Sequence, residues 1–145
     1  LEQIVIPAVR KYAPMFISKK LSLEMSSLTA TVLTDEKWAQ FIIEQILSNS
    51  LKYTRTGSIR IWQKDPAALV IEDTGIGIDP ADIPRLGERG FTGYNGRLDK
   101  KSTGIGLYLC KEISRRLSHT LTIESEPGKG TRVTIDFATR QLQAE

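Results

Sequence analysis

Two amide side chains lie on one side of a segment whose apolar residues repeat at helical spacing. Gln45 and Asn49 follow Phe41 by four and eight residues, so a helix would place all three on the same face. An amide buried without a hydrogen-bond partner costs about 1 to 3 kcal/mol, so these amides require a partner such as a ligand or a metal-bound water. Asn49 could instead bond to a neighbouring loop. Lys52 and Tyr53, one turn later, would add a cation and an aromatic ring to a phosphate site.

An acidic residue follows an apolar run and precedes two glycines. Asp73 comes directly after residues 68–72, and Gly75 allows the backbone to approach a ligand closely or to adopt a positive φ. A carboxylate fixed at a strand end can accept a hydrogen bond from an exocyclic amine, the group that distinguishes adenine. A plain turn after a strand also uses Asp and Gly, so this segment alone leaves both interpretations open.

Small residues open another helical pattern at 102–107. Because the first N–H groups of a helix are unpaired and carry partial positive charge, Thr103, Gly104 and Gly106 suit the binding of a phosphate chain. An ordinary Ser or Thr cap, followed by glycines that allow close packing, explains the same residues. Neither glycine segment matches the dinucleotide fingerprint or the P-loop pattern.

The elements that must position these groups follow from periodicity and turn residues. We expect helices over residues 1–19, from Thr34 or Asp35 to a point before Gly57, and over 104–117. Strands are expected over residues 21–26, 31–34, 58–63, 68–72, 121–125 and 132–137. This order predicts an α+β sandwich in which a helical layer packs on one face of a mixed sheet.

Apolar stripes predict which sides of the last two helices are buried. In the second helix the expected stripe comprises Trp38, Phe41, Ile42, Ile46 and Tyr53. In the third helix it comprises Ile105, Leu109, Ile113 and Leu117.

Composition narrows the class of protein. The 145 residues suit one domain, and a net charge of +3 without a basic, aromatic-rich run argues against nucleic-acid binding. Cys110 is the only cysteine, which excludes an internal disulfide and a cysteine-rich metal cluster and agrees with a reducing compartment such as the cytoplasm. No apolar run is long enough to span a membrane. Because the chain begins with Leu1, we expect it to be a fragment whose parent has any membrane anchor upstream.

Five motifs occur in a fixed order, at residues 45–53, 72–78, 90–94, 102–107 and 128–131. Together they resemble the N, G1, F, G2 and G3 boxes of sensor histidine kinases, over roughly residues 1–137. The resemblance implies the Bergerat-type ATP-binding fold, with a mixed, mostly antiparallel sheet and one layer of about three helices. Residues 91–97 are similar to the lid of kinases from Gram-positive bacteria that respond to cell-envelope antibiotics.

The resemblance implies a role for each matching residue. Asn49 would be the Mg²⁺ ligand and Lys52 a phosphate contact, and these two would be the catalytic residues. Tyr53 would form a wall of the nucleotide pocket, and Asp73 would read adenine. The other residues implied to bind ATP are Gln45, Gly75, Gly77, Ile78, Phe91, Thr103, Gly104, Ile105, Gly106, Leu107 and Thr131. Residues 79–103 would form a lid over ATP, and residues 138–145 would be a tail.

Two positions depart from the family pattern. Many members have Asn where this chain has Gln45, and related ATPases have there a glutamate that activates water. Because Gln45 cannot act as a base, this site favours kinase chemistry over hydrolysis. Many members also have Arg where this chain has Gly93, and Arg89, Arg97 or Lys100 could supply that cation.

The function implied is a protein-histidine kinase catalytic domain. It would bind Mg²⁺ and ATP and donate the γ-phosphate to a histidine on upstream dimerisation helices, from which a response regulator is phosphorylated. The single histidine, His119, is expected to be structural. The fragment would be a cytoplasmic monomer, and its parent a homodimer in the inner or plasma membrane. The alternatives are a serine-phosphorylating kinase of the anti-sigma type, an ATP-driven clamp, and a non-catalytic nucleotide-binding module.

Overall fold

A computed structural model describes residues 1–64, 66–75 and 105–138 of the chain. The predicted lid and nearly all of the predicted tail lie outside the described residues. The described helices and strands, in chain order, are α1 Glu2–Lys19, β1 Ser22–Met25, α2 Glu36–Tyr53, β2 Ser58–Lys64, β3 Ala68–Asp73, α3 Ile105–Arg116, β4 Thr120–Glu126 and β5 Gly130–Asp136.

The described strands form one sheet in the order β1-β2-β3-β5-β4. β1 pairs with β2 in parallel, and the other three pairs are antiparallel, so the sheet is mixed and mostly antiparallel. Alternate residues of the strands point towards the helices and form one hydrophobic core with them. The predicted α+β sandwich is therefore confirmed. β3 lies at the centre of the sheet, between β2 and β5.

The buried side of α2 is the predicted one only in part, because Ile42 and Ile46 are buried as expected, whereas the aromatic residues of the predicted stripe are not. The buried residues of this helix are Ala39, Ile42, Ile43, Ile46, Leu47, Ser50 and Leu51. Trp38, placed in the expected stripe, is 51% exposed and contacts Phe41 edge to face, with ring centroids 6.0 Å apart. Phe41, Gln45 and Asn49 are half-buried and line the edge of the helix. Because Ile and Leu fill the sheet-facing side, the aromatic residues lie towards solvent.

The third helix shows a similar shift. Leu109 is 38% exposed, whereas its neighbour Cys110 is fully buried, with its sulfur 3.9 Å from the carbonyl oxygen of Ile42. Ser114, four residues later, is buried on the same side. The predicted stripe is therefore wrong at Leu109, although Ile113 packs partly buried against the core, and α3 packs against α2 through the row of Cys110.

Residues 31–34 do not form the predicted strand. Just before them, the N–H of Ala30 donates to Oε1 of Gln63 at 2.9 Å, and the carbonyl oxygen of Ala30 accepts from the amino group of Leu1 at 2.8 Å. A side chain and the chain terminus thus replace the partners that a neighbouring strand would supply.

The N-cap of α2 is Asp35 rather than Thr34. Oδ1 of Asp35 accepts from the N–H of Trp38 at 3.1 Å, as an N-cap does. The hydroxyl of Thr34 instead lies 2.7 Å from Nε2 of His119. His119 is buried and contacts the ring of Phe137, and this burial lowers its pKa. These contacts agree with the structural role expected of His119.

Candidate functional site

The carboxylate of Asp73 is held at the end of the central strand. Asp73 is only 7% exposed, and its Oδ1 accepts from the N–H of Gly75 at 2.9 Å and from the N–H of Thr131 at 3.2 Å. Thr131 lies opposite Asp73 in the antiparallel pairing of β3 with β5, which brings its N–H within reach. Two segments distant in sequence therefore orient one side chain.

The helical layer also approaches this carboxylate. Ser50, on the buried side of α2, lies near enough for its hydroxyl to lower the pKa of Asp73. Burial raises the pKa of Asp73, and the charge of Glu72 adds to that effect, whereas the polar groups of Gly75, Ser50 and Thr131 act in the opposite direction. Sequence reasoning missed Ser50, although a hydroxyl four residues after Ile46 on a strongly apolar helix face was a usable signal.

The loop after β3 lies directly against the end of α2. A Cβ on Gly75 would be 2.7 Å from the carbonyl oxygen of Tyr53, 2.9 Å from Oγ1 of Thr54 and 2.9 Å from Oδ1 of Asp73. Real Cβ atoms do not approach other atoms so closely, so only glycine allows this contact. The close approach places Asp73 and Gly75 beside the main chain of Tyr53. Oγ1 of Thr54 is also buried here and has no hydrogen-bond partner in the described part of the chain.

A second glycine fixes the other side of the carboxylate. Gly130 has φ +125°, and a Cβ there would lie 2.0 Å from the carbonyl oxygen of Asp73. The next residue, Thr131, contacts Asp73 through its backbone N–H, while its hydroxyl lies 2.8 Å from Oγ of Ser125. Thr131 thus supports Asp73 by its main chain.

The polar residues of α2 lie along the edge of the helix that borders this carboxylate. Gln45, Asn49, Lys52 and Tyr53 are all half-buried, and Nζ of Lys52 is 6.0 Å from the centre of the Tyr53 ring. Consecutive Cα atoms are about 3.8 Å apart, and Ser50 lies near enough to Asp73 to affect its pKa, so the main chain at Asn49 also lies close to this carboxylate.

The remaining predicted residues are only partly placed. Ile105, Gly106 and Leu107 lie in the first turn of α3, where backbone N–H groups are free of intrahelical partners. The predicted residues outside the described part of the chain are Gly77, Ile78, Phe91, Thr103 and Gly104.

A cavity of about 430 Å³ on the solvent face of the sheet is a weaker candidate. Its walls include Arg60, Glu72 and Arg132, whose charges are paired. Nη1 of Arg60 lies 3.4 Å from Oε1 of Glu72, and Nη2 of Arg132 lies 2.5 Å from Oε2 of Glu72. Of the predicted residues only Asp73 and Thr131 border it. A ligand bound there would not contact the polar edge of α2, so we assign no role to this cavity.

Comparisons with known proteins agree with the geometry. Residues 34–141 match the family model described as histidine kinase-, DNA gyrase B-, and HSP90-like ATPase. The sensor histidine kinase YxdK of Bacillus subtilis is 36% identical over 146 residues, which cover 97% of this chain and 45% of that protein. The catalytic domain of the histidine kinase ThkA has the same fold, with a TM-score of 0.80 at 15% identity, covering 96% of this chain and 92% of that one. Full-length ShkA, solved in complex with AMPPNP, has a TM-score of 0.77 at 20% identity, covering 95% and 30%. The chain thus spans less than half the length of YxdK.

Proposed function

Since this chain belongs to the family of histidine kinase-, DNA gyrase B- and HSP90-like ATPases, we propose that it binds Mg²⁺-ATP and donates the γ-phosphate to a histidine on a separate helical dimerisation domain. The relative from Bacillus subtilis that is named a sensor histidine kinase supports this choice within the family, and it agrees with the expected kinship to kinases of Gram-positive bacteria. The observation that carries the proposal is the Asp73 carboxylate, which is buried at a strand end and held there by the N–H groups of Gly75 and Thr131.

Asp73 is suited to recognise adenine. A carboxylate offers about four acceptor positions, and the N–H groups of Gly75 and Thr131 both donate to Oδ1. The second oxygen would accept from the exocyclic amine of the base. The close contact of Gly75 with the end of α2 brings Asp73 close to the main chain of Tyr53, whose ring would cover one side of the base.

Asn49 and Lys52 are suited to the phosphate end of the nucleotide. Among the described residues, no three acidic, histidine or cysteine side chains lie so that together they could hold a metal ion, so a metal at this site would be held by few protein atoms. That arrangement fits Mg²⁺, which typically binds one or two protein oxygens together with substrate phosphates and water. When bound, Mg²⁺ neutralises phosphate charge. Lys52 would add a second cation, and the first N–H groups of α3 would bind phosphate oxygens. Gln45 lacks the basicity to activate water, which favours phosphoryl transfer over hydrolysis.

The acceptor histidine must come from outside this chain. His119 is the only histidine, and it is buried with Nε2 bonded to Thr34, so it cannot reach a bound nucleotide. We therefore place the acceptor on dimerisation helices of the parent protein and a response regulator downstream of them. In this proposal residues 1–145 are one cytoplasmic ATP-binding unit of a homodimeric membrane kinase. Within the described residues, no helix combines the length and apolar character of a membrane span.

Phosphotransfer in trans tests the proposal. The chain is mixed with γ-labelled ATP, Mg²⁺ and the separately expressed helical segment encoded upstream in the parent gene. We expect label on that segment, lost on acid treatment because phosphohistidine is acid-labile, and absent with the variant Asp73→Asn. Acid-stable label would instead indicate a serine kinase. ATP binding without any transfer would indicate a non-catalytic module.

A further inference from the structure

The C-terminal end of α2 is closed differently from that of α1. After α1, Lys20 has φ 56°, and its backbone turn brings N–H groups back to carbonyl oxygens of the last helical turn. After α2, Thr54 is extended, with φ −104°, and its N–H donates to the carbonyl oxygen of Ser50. The next carbonyl oxygen, that of Leu51, receives its donor from a side chain of another helix.

That donor is the ammonium group of Lys19, the last residue of α1. Midway along the same two helices, Nζ of Lys11 lies 3.1 Å from Oε1 of Glu44. These two contacts show that α1 and α2 lie side by side and run in the same direction. A cation is favoured at the C-terminal end of a helix, because the carbonyl groups there carry partial negative charge.

The surroundings of Lys19 are otherwise unfavourable for a cation. Burial lowers the pKa of Lys19, and the positive charge of Arg55 lowers it further. An apolar side chain would fill the same half-buried position without this repulsion. Packing alone therefore does not account for a lysine here, whereas its contact with the helix end does.

The last turn of α2 carries two residues of the proposed nucleotide site. Lys52 and Tyr53 follow Leu51 directly in the chain. The carbonyl oxygen of Tyr53 also lies against Gly75, where a Cβ would be only 2.7 Å from it. We propose that Lys19 is a positioning residue for nucleotide binding, because its ammonium group fixes the turn from which Lys52 and Tyr53 extend. The inference rests on the proposed function, since it assumes that these two residues contact ATP.

Loss of the ammonium group should affect the helix end more than the whole domain. Lys19 is partly exposed, so water can replace it at the carbonyl oxygen of Leu51. Helix ends open locally at low cost, and an end that frays holds its side chains less firmly. ATP would then have to order this turn when it binds, which lowers its affinity.

Calorimetric titration with Mg²⁺-ATP tests the inference on Lys19→Met, which keeps most of the side chain but not its charge. We expect the Kd to rise about fivefold, a change typical of the loss of one charge at a helix end. Lys19→Arg, which restores a cationic donor, should bind within about twofold of the wild type. The matched control is Lys20→Met, because Lys20 is exposed and this variant has the same net charge. Its Kd should equal that of the wild type.

Hydrogen exchange distinguishes a positioning role from a structural one. In Lys19→Met the amides of residues 52–54 should exchange faster, whereas those of β3 should exchange as in the wild type. Equal acceleration in both regions would assign Lys19 a purely structural role and overturn the inference, as would an unchanged Kd. A wild-type chain that does not bind ATP would instead reject the proposed function, and the inference with it. If Lys19→Met does not fold, Lys19→Gln, whose shorter side chain is uncharged, replaces it, and the same two measurements decide.

Discussion

Replacing Asp73 by Asn changes one atom of the carboxylate and removes its charge. The N–H groups of Gly75 and Thr131 hold an oxygen, so the amide oxygen of Asn would take that place and its NH₂ group would face the ligand. The exocyclic amine of adenine would then meet a donor instead of an acceptor. A lost hydrogen bond to a charged group costs about 1.5 to 3 kcal/mol, and an unpaired buried donor costs about 1 to 3 kcal/mol more.

We therefore expect ATP affinity to fall by about 3 kcal/mol or more, which is about 100-fold in Kd. The wild type should bind Mg²⁺-ATP in the micromolar to millimolar range, so the variant should show no measurable heat in a calorimetric titration. The control is Glu72→Gln, because the adjacent carboxylate points to the solvent face of the sheet, where it pairs with Arg60 and Arg132. That variant should bind like the wild type.

The thermal stability of the Asp73→Asn variant should not fall, although its affinity for ATP does. Because the pKa of Asp73 is raised, folding favours its protonated form, and this stabilisation is lost as the pH rises through the pKa of the folded state. At pH 7.5 the ionised carboxylate therefore destabilises the folded state, and Asp73→Asn should melt at the wild-type temperature or above it. An Asp73→Asn variant that folds and binds ATP within about threefold of the wild type would refute the assignment of this residue to the base.

Three further predictions concern the metal, a turn and the pH dependence of folding. Asn49→Asp should weaken binding of Mg²⁺-ATP, because a carboxylate there would repel the phosphates, and titrations with and without Mg²⁺ should show that the metal-dependent part is lost. Gly130→Ala should cost about 2 kcal/mol or more in urea unfolding, because its Cβ would meet the carbonyl oxygen of Asp73, whereas Gly128→Ala, with φ +80° and nothing within 4 Å, should cost only about 1 kcal/mol. Burial lowers the pKa of His119 from 6.5, so its contribution to stability is present above that pH and is lost as the pH falls through the lower, folded-state value. Urea midpoints at pH 7.5 and 5 should differ less in His119→Gln than in the wild type.

The features that could be predicted from sequence are those with local signals. The helix α1 was expected over residues 1–19 and lies at Glu2–Lys19, because its apolar spacing persists through Pro7 and Pro14. The strands expected over residues 121–125 and 132–137 likewise lie at Thr120–Glu126 and Gly130–Asp136. The position of Asp73 at a strand end followed from the apolar run before it and the glycine after it.

The features that were missed depend on which surfaces meet. Trp38 fits a helical stripe as well as Ile43 does, and only the packing of α2 on the sheet shows that the aromatic ring lies towards solvent. Residues 31–34 alternate as a strand would, but none of the strands that the structure describes pairs with them. Ser50 gave no motif of its own, since its role depends on Asp73, which is 23 positions further along the chain.

The place of Asp73 on the middle strand has a consequence for the timing of ligand capture. Local opening begins at frayed ends and sheet margins, and amides of a central strand exchange with solvent mainly when the whole domain unfolds. The main-chain protons of β3 should therefore be among the slowest to be replaced by deuterium, with or without nucleotide. Asp73 would therefore hold its final position before a base binds. Any entropy lost by ordering residues on binding would come from other parts of the nucleotide site.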